Sequence, residues 1–290
     1  MKYAYYPGCS LHSTAKEFDM STKAAFRGLG IGLEEVQDWV CCGASSAHMT
    51  SEILSHVLPA KTLAGVDRDA KGVVVPCIAC YSRFRITNAA LQEDPELRAQ
   101  VKSAVGVTYE GKIPVVHPLD VVVNDYGLDA VREKVSKELT GLRVASYYGC
   151  LLTRPPEINS FDDDPENPTS MDDLATALGA EVVDWPYKTE CCGASLSFTR
   201  TDIALRLSHD ILTMAADEDA DCIAVACPMC QSNLDLRQRA INRKYGTSFD
   251  IPIVYFTQLI GLALGIAPRE LGLHLHSVNP KNLLKKKALA

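Results

Sequence analysis

Cys41-Cys42-Gly43-Ala44-Ser45 and, 150 residues further on, Cys191-Cys192-Gly193-Ala194-Ser195 are the same five-residue string. A gap of 34 residues separates each string's double cysteine from a Cys-x-x-Cys pair: Cys77-Ile78-Ala79-Cys80, then Cys227-Pro228-Met229-Cys230. A lone cysteine precedes each string, Cys9 in the first half and Cys150 in the second. Ten of the eleven cysteines thus fall into one pattern used twice. The flanks repeat too. Ala4-Tyr5-Tyr6-Pro7-Gly8-Cys9 parallels Ala145-Ser146-Tyr147-Tyr148-Gly149-Cys150, and Ile113-Pro114-Val115-Val116 parallels Ile251-Pro252-Ile253-Val254. A fixed repeat of this length means two copies of one structural unit.

Short β-branched runs stand just before the cysteines: Tyr3 to Tyr6, Val73 to Val75, Val144 to Tyr147 and Cys222 to Val225. Helical patterns lie between them, at Thr14 to Arg27, Ser46 to Leu63, Met171 to Leu178 and Asp202 to Ala216. Strands alternating with helices predict an α/β fold: two pseudo-symmetric repeats with largely parallel sheets. Sites in such sheets form beyond the carboxyl ends of the strands, where each cysteine would be delivered. A helix from Leu128 to Leu139 is expected to close the first unit, so the units run 1–141 and 142–290. The lone cysteine is nine residues further from the double cysteine in the second unit. That surplus falls in Arg154 to Thr169, whose four prolines and acidic run predict a loop.

The 47% hydrophobic and 22% charged content is that of a soluble globular protein. The net charge of −7, with one short basic cluster at Lys285-Lys286-Lys287, argues against a nucleic-acid surface. No apolar run is long enough to span a bilayer, and no signal segment opens the chain. The most apolar stretch, Ile251 to Ile266, is interrupted by Pro252, Gln258, Gly261 and Gly265 and reads as a buried strand followed by a helix. The chain is therefore expected in the cytoplasm. Cysteines stay reduced there, so eleven of them indicate metal or redox chemistry rather than disulfides.

Thiolates favour zinc, copper(I) and iron–sulfur clusters. Adjacent cysteines can both reach one centre only if the backbone turns sharply, which the following glycine permits, or if the centre contains several metal atoms. Zinc takes four ligands and each half offers five thiols. A dithiol redox pair would explain Cys77/Cys80 or Cys227/Cys230 but leave the others unused. Iron–sulfur ligation fits best. Cys222 stands outside the pattern and reads as a buried packing residue.

On these residues each half resembles the CCG cysteine-rich domain. Two such domains in a chain of this length, with Gly149-Cys150-Leu151-Leu152-Thr153-Arg154-Pro155-Pro156, resemble the B subunit of heterodisulfide reductases. The resemblance implies two noncubane [4Fe-4S] clusters, one on Cys9, Cys41, Cys42, Cys77 and Cys80, the other on Cys150, Cys191, Cys192, Cys227 and Cys230. It implies a mixed disulfide, that of coenzymes M and B, held between the clusters and reduced to two thiols. It also implies a ferredoxin-like iron–sulfur C subunit as electron donor, fed by a flavin-containing A subunit. The alternative is an electron-transfer subunit of another anaerobic redox complex handling a different sulfur substrate.

Among other residues, His48 could face the first cluster as a proton donor, although a structural role capping or lining a helix fits it better, and Phe198 occupies the matching place in the second half. His12 and His117 read as structural. Arg83, Arg85, Arg154 and Arg200 are candidate cations for an anionic substrate. Tyr5/Tyr6 and Tyr147/Tyr148 are expected to pack around the clusters.

Overall fold

A computed structural model describes residues 1–67 and 69–289. The strands form two four-stranded, all-parallel sheets. The first contains β1 (Lys2–Tyr5), β2 (Gly32–Glu35), β3 (Val73–Val74) and β4 (Val115–Val116) in spatial order β2-β1-β3-β4. The second contains β5 (Arg143–Tyr147), β6 (Glu181–Val182), β7 (Cys222–Val225) and β8 (Ile253–Tyr255) in the equivalent order β6-β5-β7-β8. Tyr5 pairs with Val74 in the first sheet, and Tyr147 pairs with Val225 in the second. Parallel sheets are covered on both faces, and the central strands β3 and β7 are accordingly buried along their whole length. The edge strand β2, by contrast, alternates exposed and half-buried residues.

Helices make the crossovers. Lys16–Leu29 leads from β1 to β2, Glu52–Ala64 from β2 to β3, and Ile78–Glu93 with Pro95–Val105 from β3 to β4. Ser170–Ala177, Thr201–Asp217, and Pro228–Asp235 with Gln238–Tyr245 do the same in the second half. In both halves the chain reverses its direction of winding between the first strand and the third. Such a switch point opens a crevice at the carboxyl edge.

Two expectations are corrected. The helix expected over Ser46 to Leu63 is broken at Ser51, whose extended backbone lets its hydroxyl accept from the Leu54 N–H and cap Glu52–Ala64. The helix expected to run to Leu139 ends at Lys134, after a π-helical stretch at Val121–Gly127. Beyond it the Ser136 and Lys137 amides turn to the Ala263 carbonyl at 2.9 and 3.0 Å. That carbonyl lies at the end of helix Phe256–Ala263, where no intrahelical donor remains for it. The surplus from Arg154 to Thr169 is largely loop, as expected. It forms a short helix, Pro156–Asn159, and buries Asn159 against the first half. The Asn159 amide donates to Ser82 Oγ at 3.0 Å, and Tyr81 OH donates to the Asn159 carbonyl at 3.1 Å.

The halves therefore interlock. Helix Phe256–Ala263 packs on Lys16–Leu29, with the Ser21 and Thr257 hydroxyls hydrogen-bonded at 2.7 Å. Among the described residues no helix is long and apolar enough to cross a membrane.

Candidate functional site

The switch point places the cysteines. Cys9 follows β1, Cys41 and Cys42 follow β2, and Cys77 caps the helix that follows β3. Cys150, Cys191, Cys192 and Cys227 occupy the same stations after β5, β6 and β7. Five thiols so distant in sequence meet at one sheet edge in each half. In the first, Cys42 Sγ lies 2.8 Å from Cys80 Sγ, Cys80 adjoins Cys77, and Cys9 adjoins Cys41. In the second, Cys192 Sγ lies 3.5 Å from Cys230 Sγ, Cys230 adjoins Cys227, and Cys150 adjoins Cys191. Among the described residues no three His, Cys, Asp or Glu side chains close on a single point as an ion's ligands. The thiols form a chain of neighbours instead.

Each set is graded in depth. Cys42, Cys77, Cys80, Cys192, Cys227 and Cys230 are buried, while Cys9, Cys41 and Cys191 are exposed and Cys150 is half-buried. The expected turn after the double cysteine is present. Gly43 and Gly193 are left-handed, with φ of +72° and +76°. A Cβ there would also stand 2.6 Å from Ala47 Cβ or 2.9 Å from Ala204 Cα, so only glycine fits.

Backbone amides face the sulfurs. The Gly193 N–H donates to Cys191 Sγ at 3.3 Å, and the Ala44 and Ala194 amides serve Cys42 and Cys192. The Ala79 and Cys80 amides, in the free first turn of their helix, serve Cys77. Neighbouring thiols share protons. The thiol of Cys80 draws Cys42 down to about 7, and that of Cys150 draws Cys191 down to about 6. Cys80, Cys230 and Cys150 are pushed up by their hydrogen bonds to Cys42, Cys192 and Cys191. Five converging thiols cannot all ionise without positive charge among them. This donor set fits a multi-iron centre, whose iron supplies that charge.

Tyrosines hold the double cysteines from beneath. Tyr6 OH donates to the Val40 carbonyl at 2.9 Å and Tyr147 OH to the Glu190 carbonyl at 2.6 Å. Each acceptor immediately precedes a double cysteine. Burial, reinforced by the charge of the nearby thiols, raises both phenols. One member of each pair thus adjoins a cysteine loop. Tyr5 instead donates to Asp19 at 2.9 Å, and Tyr148 OH accepts from the Met171 amide, because adjacent strand residues point to opposite faces.

His48 is exposed on the short helix Ala47–Thr50 and hydrogen-bonds none of the cysteines among the described residues; Phe198 is 91% exposed. His12 lies 3.3 Å from the Glu35 carboxylate and meets Trp39 edge-on. Of the arginines, Arg154 lies beside the second site. It feels the charge of Cys150, donates to the Thr189 carbonyl at 3.1 Å and is paired with Glu166. Arg200 is paired with Asp202, and Arg85 donates to Tyr81 OH. Cys222 is buried away from both sites, its thiol pushed up to about 12 by burial. Sequence reasoning missed Tyr255. Its hydroxyl is buried without a partner among the described residues, in the field of Glu17, Cys227, Asp235 and Cys230. The only signal was its place in the repeat, opposite His117.

Residues 3–85 and 144–235 match the cysteine-rich domain family designated CCG. The chain belongs to that family. Among relatives of this CCG protein is the membrane anchor component of the 8-methylmenaquinol:fumarate reductase of Wolinella succinogenes, 33% identical over 96% of both chains. Another is the B component of the ferredoxin:CoB-CoM heterodisulfide reductase of Methanosarcina mazei, 29% identical over 98% of this chain and 96% of that one. A solved structure, a hypothetical protein from Helicobacter pylori, shares the fold with a TM-score of 0.75 at 13% identity, over 96% of this CCG protein and 52% of that chain. Family and relatives together support an iron–sulfur oxidoreductase component that takes part in electron transfer within a multi-subunit complex.

Proposed function

We propose that each half holds one noncubane [4Fe-4S] cluster through its five cysteines: Cys9, Cys41, Cys42, Cys77 and Cys80 in one unit (1–141), Cys150, Cys191, Cys192, Cys227 and Cys230 in the other (142–290). On this reading the chain is the catalytic component of a heterodisulfide reductase, or of a similar disulfide reductase. The observation that carries it is the complete, doubled set of five thiols gathered at two equivalent sheet edges. The overall reaction adds two electrons and two protons to a mixed disulfide, breaks its S–S bond and releases two thiols. Clusters bound at the two sites would supply those electrons one at a time. The buried cysteines anchor each site, and the more accessible pair at each rim, Cys9/Cys41 and Cys150/Cys191, marks the side from which substrate approaches. Arg154 places a cation beside the second rim, where an anionic disulfide would dock. No catalytic residue is assigned; His48, on the exposed segment after the first double cysteine, is one candidate proton donor. Electrons would come from a ferredoxin-like iron–sulfur C subunit, itself fed by a flavin-containing A subunit, in the cytoplasm.

A second reading has its own support, since the 33% identical relative is named for a menaquinol:fumarate reductase. Here the two sites would relay electrons and handle no disulfide. Anaerobic purification decides between them. Two clusters require about eight irons and eight sulfides per chain. Oxidation of a reduced dye on adding coenzyme M–coenzyme B disulfide establishes the reductase. Full iron without that turnover, but with reduction of the clusters by a menaquinol, establishes the relay. Zinc in place of iron defeats both.

A further inference from the structure

His117 is fully buried where the halves meet. Its Nδ1 accepts from the Leu119 amide at 3.2 Å, which leaves the ring proton on Nε2. Nε2 lies 3.2 Å from the Pro76 carbonyl and 3.2 Å from the Ala226 carbonyl. These two residues are equivalents in the repeat, 150 apart, and each immediately precedes the first cysteine of a Cys-x-x-Cys pair. One N–H therefore bridges the two sites at matching atoms. The ring is caged by Tyr81 from the first half, Phe161 from the inserted loop and Phe256 from the second half, with centroids 5.9, 6.4 and 6.0 Å away.

We propose that His117 is a positioning residue shared by both cysteine sites, its single Nε2 proton fixing the Cys77 and Cys227 peptides relative to each other. This rests on the metal-site reading above. A peptide group is planar, so holding a carbonyl also fixes the N–H on the other side of the same plane. Here those N–H groups belong to Cys77 and Cys227. Amide dipoles beside sulfur ligands tune an iron–sulfur centre, and their orientation depends on such support from the surrounding protein. The repeat has no second copy of this device, because Tyr255 takes the equivalent place.

The test compares His117→Phe, which keeps a ring but has no donor, with His117→Gln, whose amide reaches a similar point. Thr257→Val is the control, since it cuts the hydrogen bond to Ser21 between the halves without touching a cysteine loop. Amide hydrogen exchange of the metal-free chain is followed in segments 76–81 and 226–231. His117→Phe is expected to speed exchange in both segments together by about tenfold, the effect of losing a hydrogen bond worth roughly 1.4 kcal/mol. His117→Gln should restore most of the protection, and Thr257→Val should leave both segments unchanged. In the iron-loaded chain, His117→Phe should keep its iron while the reduction potentials of both sites move. Change in one segment only, in neither, or equally in the Thr257 control overturns the proposal. A wild-type chain without iron overturns the metal reading instead, and the exchange arm still judges the bridge.

Discussion

Phe18 lies flat on Tyr255, ring centroids 4.0 Å apart and planes within 4°. One ring comes from the first crossover helix and the other from the last strand of the second sheet, so the stack joins the halves. Both rings are buried. Truncating a buried phenylalanine costs about 3–5 kcal/mol in lost burial and cavity. Phe18→Ala should therefore lower the unfolding free energy of the whole chain by that amount, in one transition. Urea unfolding followed by far-ultraviolet circular dichroism checks this. An unchanged midpoint would show that the halves stand independently of the stack.

The tyrosines beneath the double cysteines give a test specific to each half. Tyr6→Phe leaves the Val40 carbonyl without its phenol donor, and Tyr147→Phe does the same to the Glu190 carbonyl. Each loss should cost about 1–3 kcal/mol. It should also disturb the cluster of its own half and leave the other alone, as seen in the electron paramagnetic resonance of reduced protein. Equal disturbance of both signals by either variant would refute the assignment of one tyrosine to each site.

Much of this arrangement was legible in the cysteines. The doubled string indicated a repeat, and the apolar runs before Cys77 and Cys227 indicated parallel strands ending at the sites, because a strand buried on both faces must be apolar throughout. Local pattern did not carry the contacts between halves. Asn159 sits in a proline-rich acidic stretch, which reads as a loop and nothing more until Ser82 and Tyr81 are seen across the interface. His117 precedes a proline at a helix start, and nothing nearby in sequence reveals that its second nitrogen meets carbonyls from both halves. The helix from Leu128 stops at Lys134 although its propensity continues further. A carbonyl 127 residues beyond Ser136, on Ala263, recruits the next amides.

His276 makes acid stability predictable. It is buried between Gln231 and Gln258, with Gln231 Nε2 3.3 Å from Nδ1 and Gln258 Oε1 3.0 Å from Nε2. An acceptor Nδ1 and a donor Nε2 suit the neutral ring. Burial, with the charge of His274 added, lowers its pKa from 6.5 to about 4. The unfolded chain thus binds the extra proton first as pH falls. Stability from this group is complete above about pH 6.5 and is lost toward pH 4, by at most about 1.4 kcal/mol per pH unit. Urea titrations at pH 7, 6 and 5 should show a shallower acid loss in His276→Gln than in the wild type. Parallel curves would mean that the ring is already charged or exposed in the native state.

The cysteines themselves divide into groups that substitution and alkylation can separate. Cys42→Ala should reduce iron from about eight to about four per chain, and Cys192→Ala should do the same while sparing the other signal. Cys222→Ala should keep all the iron, because its thiol is buried in β7 away from both sites. In the metal-free chain, iodoacetamide should label Cys41 and Cys191 first. These are exposed, and Cys191 is drawn down to about 6, so it is largely thiolate at neutral pH. Cys222, buried and pushed up to about 12, should label last. With iron bound, the ten cysteines of the pattern should all resist labelling, as mass spectrometry of the peptides would show. Rapid labelling of Cys9 or Cys150 in iron-replete protein would remove that cysteine from the ligand set and leave its cluster with four.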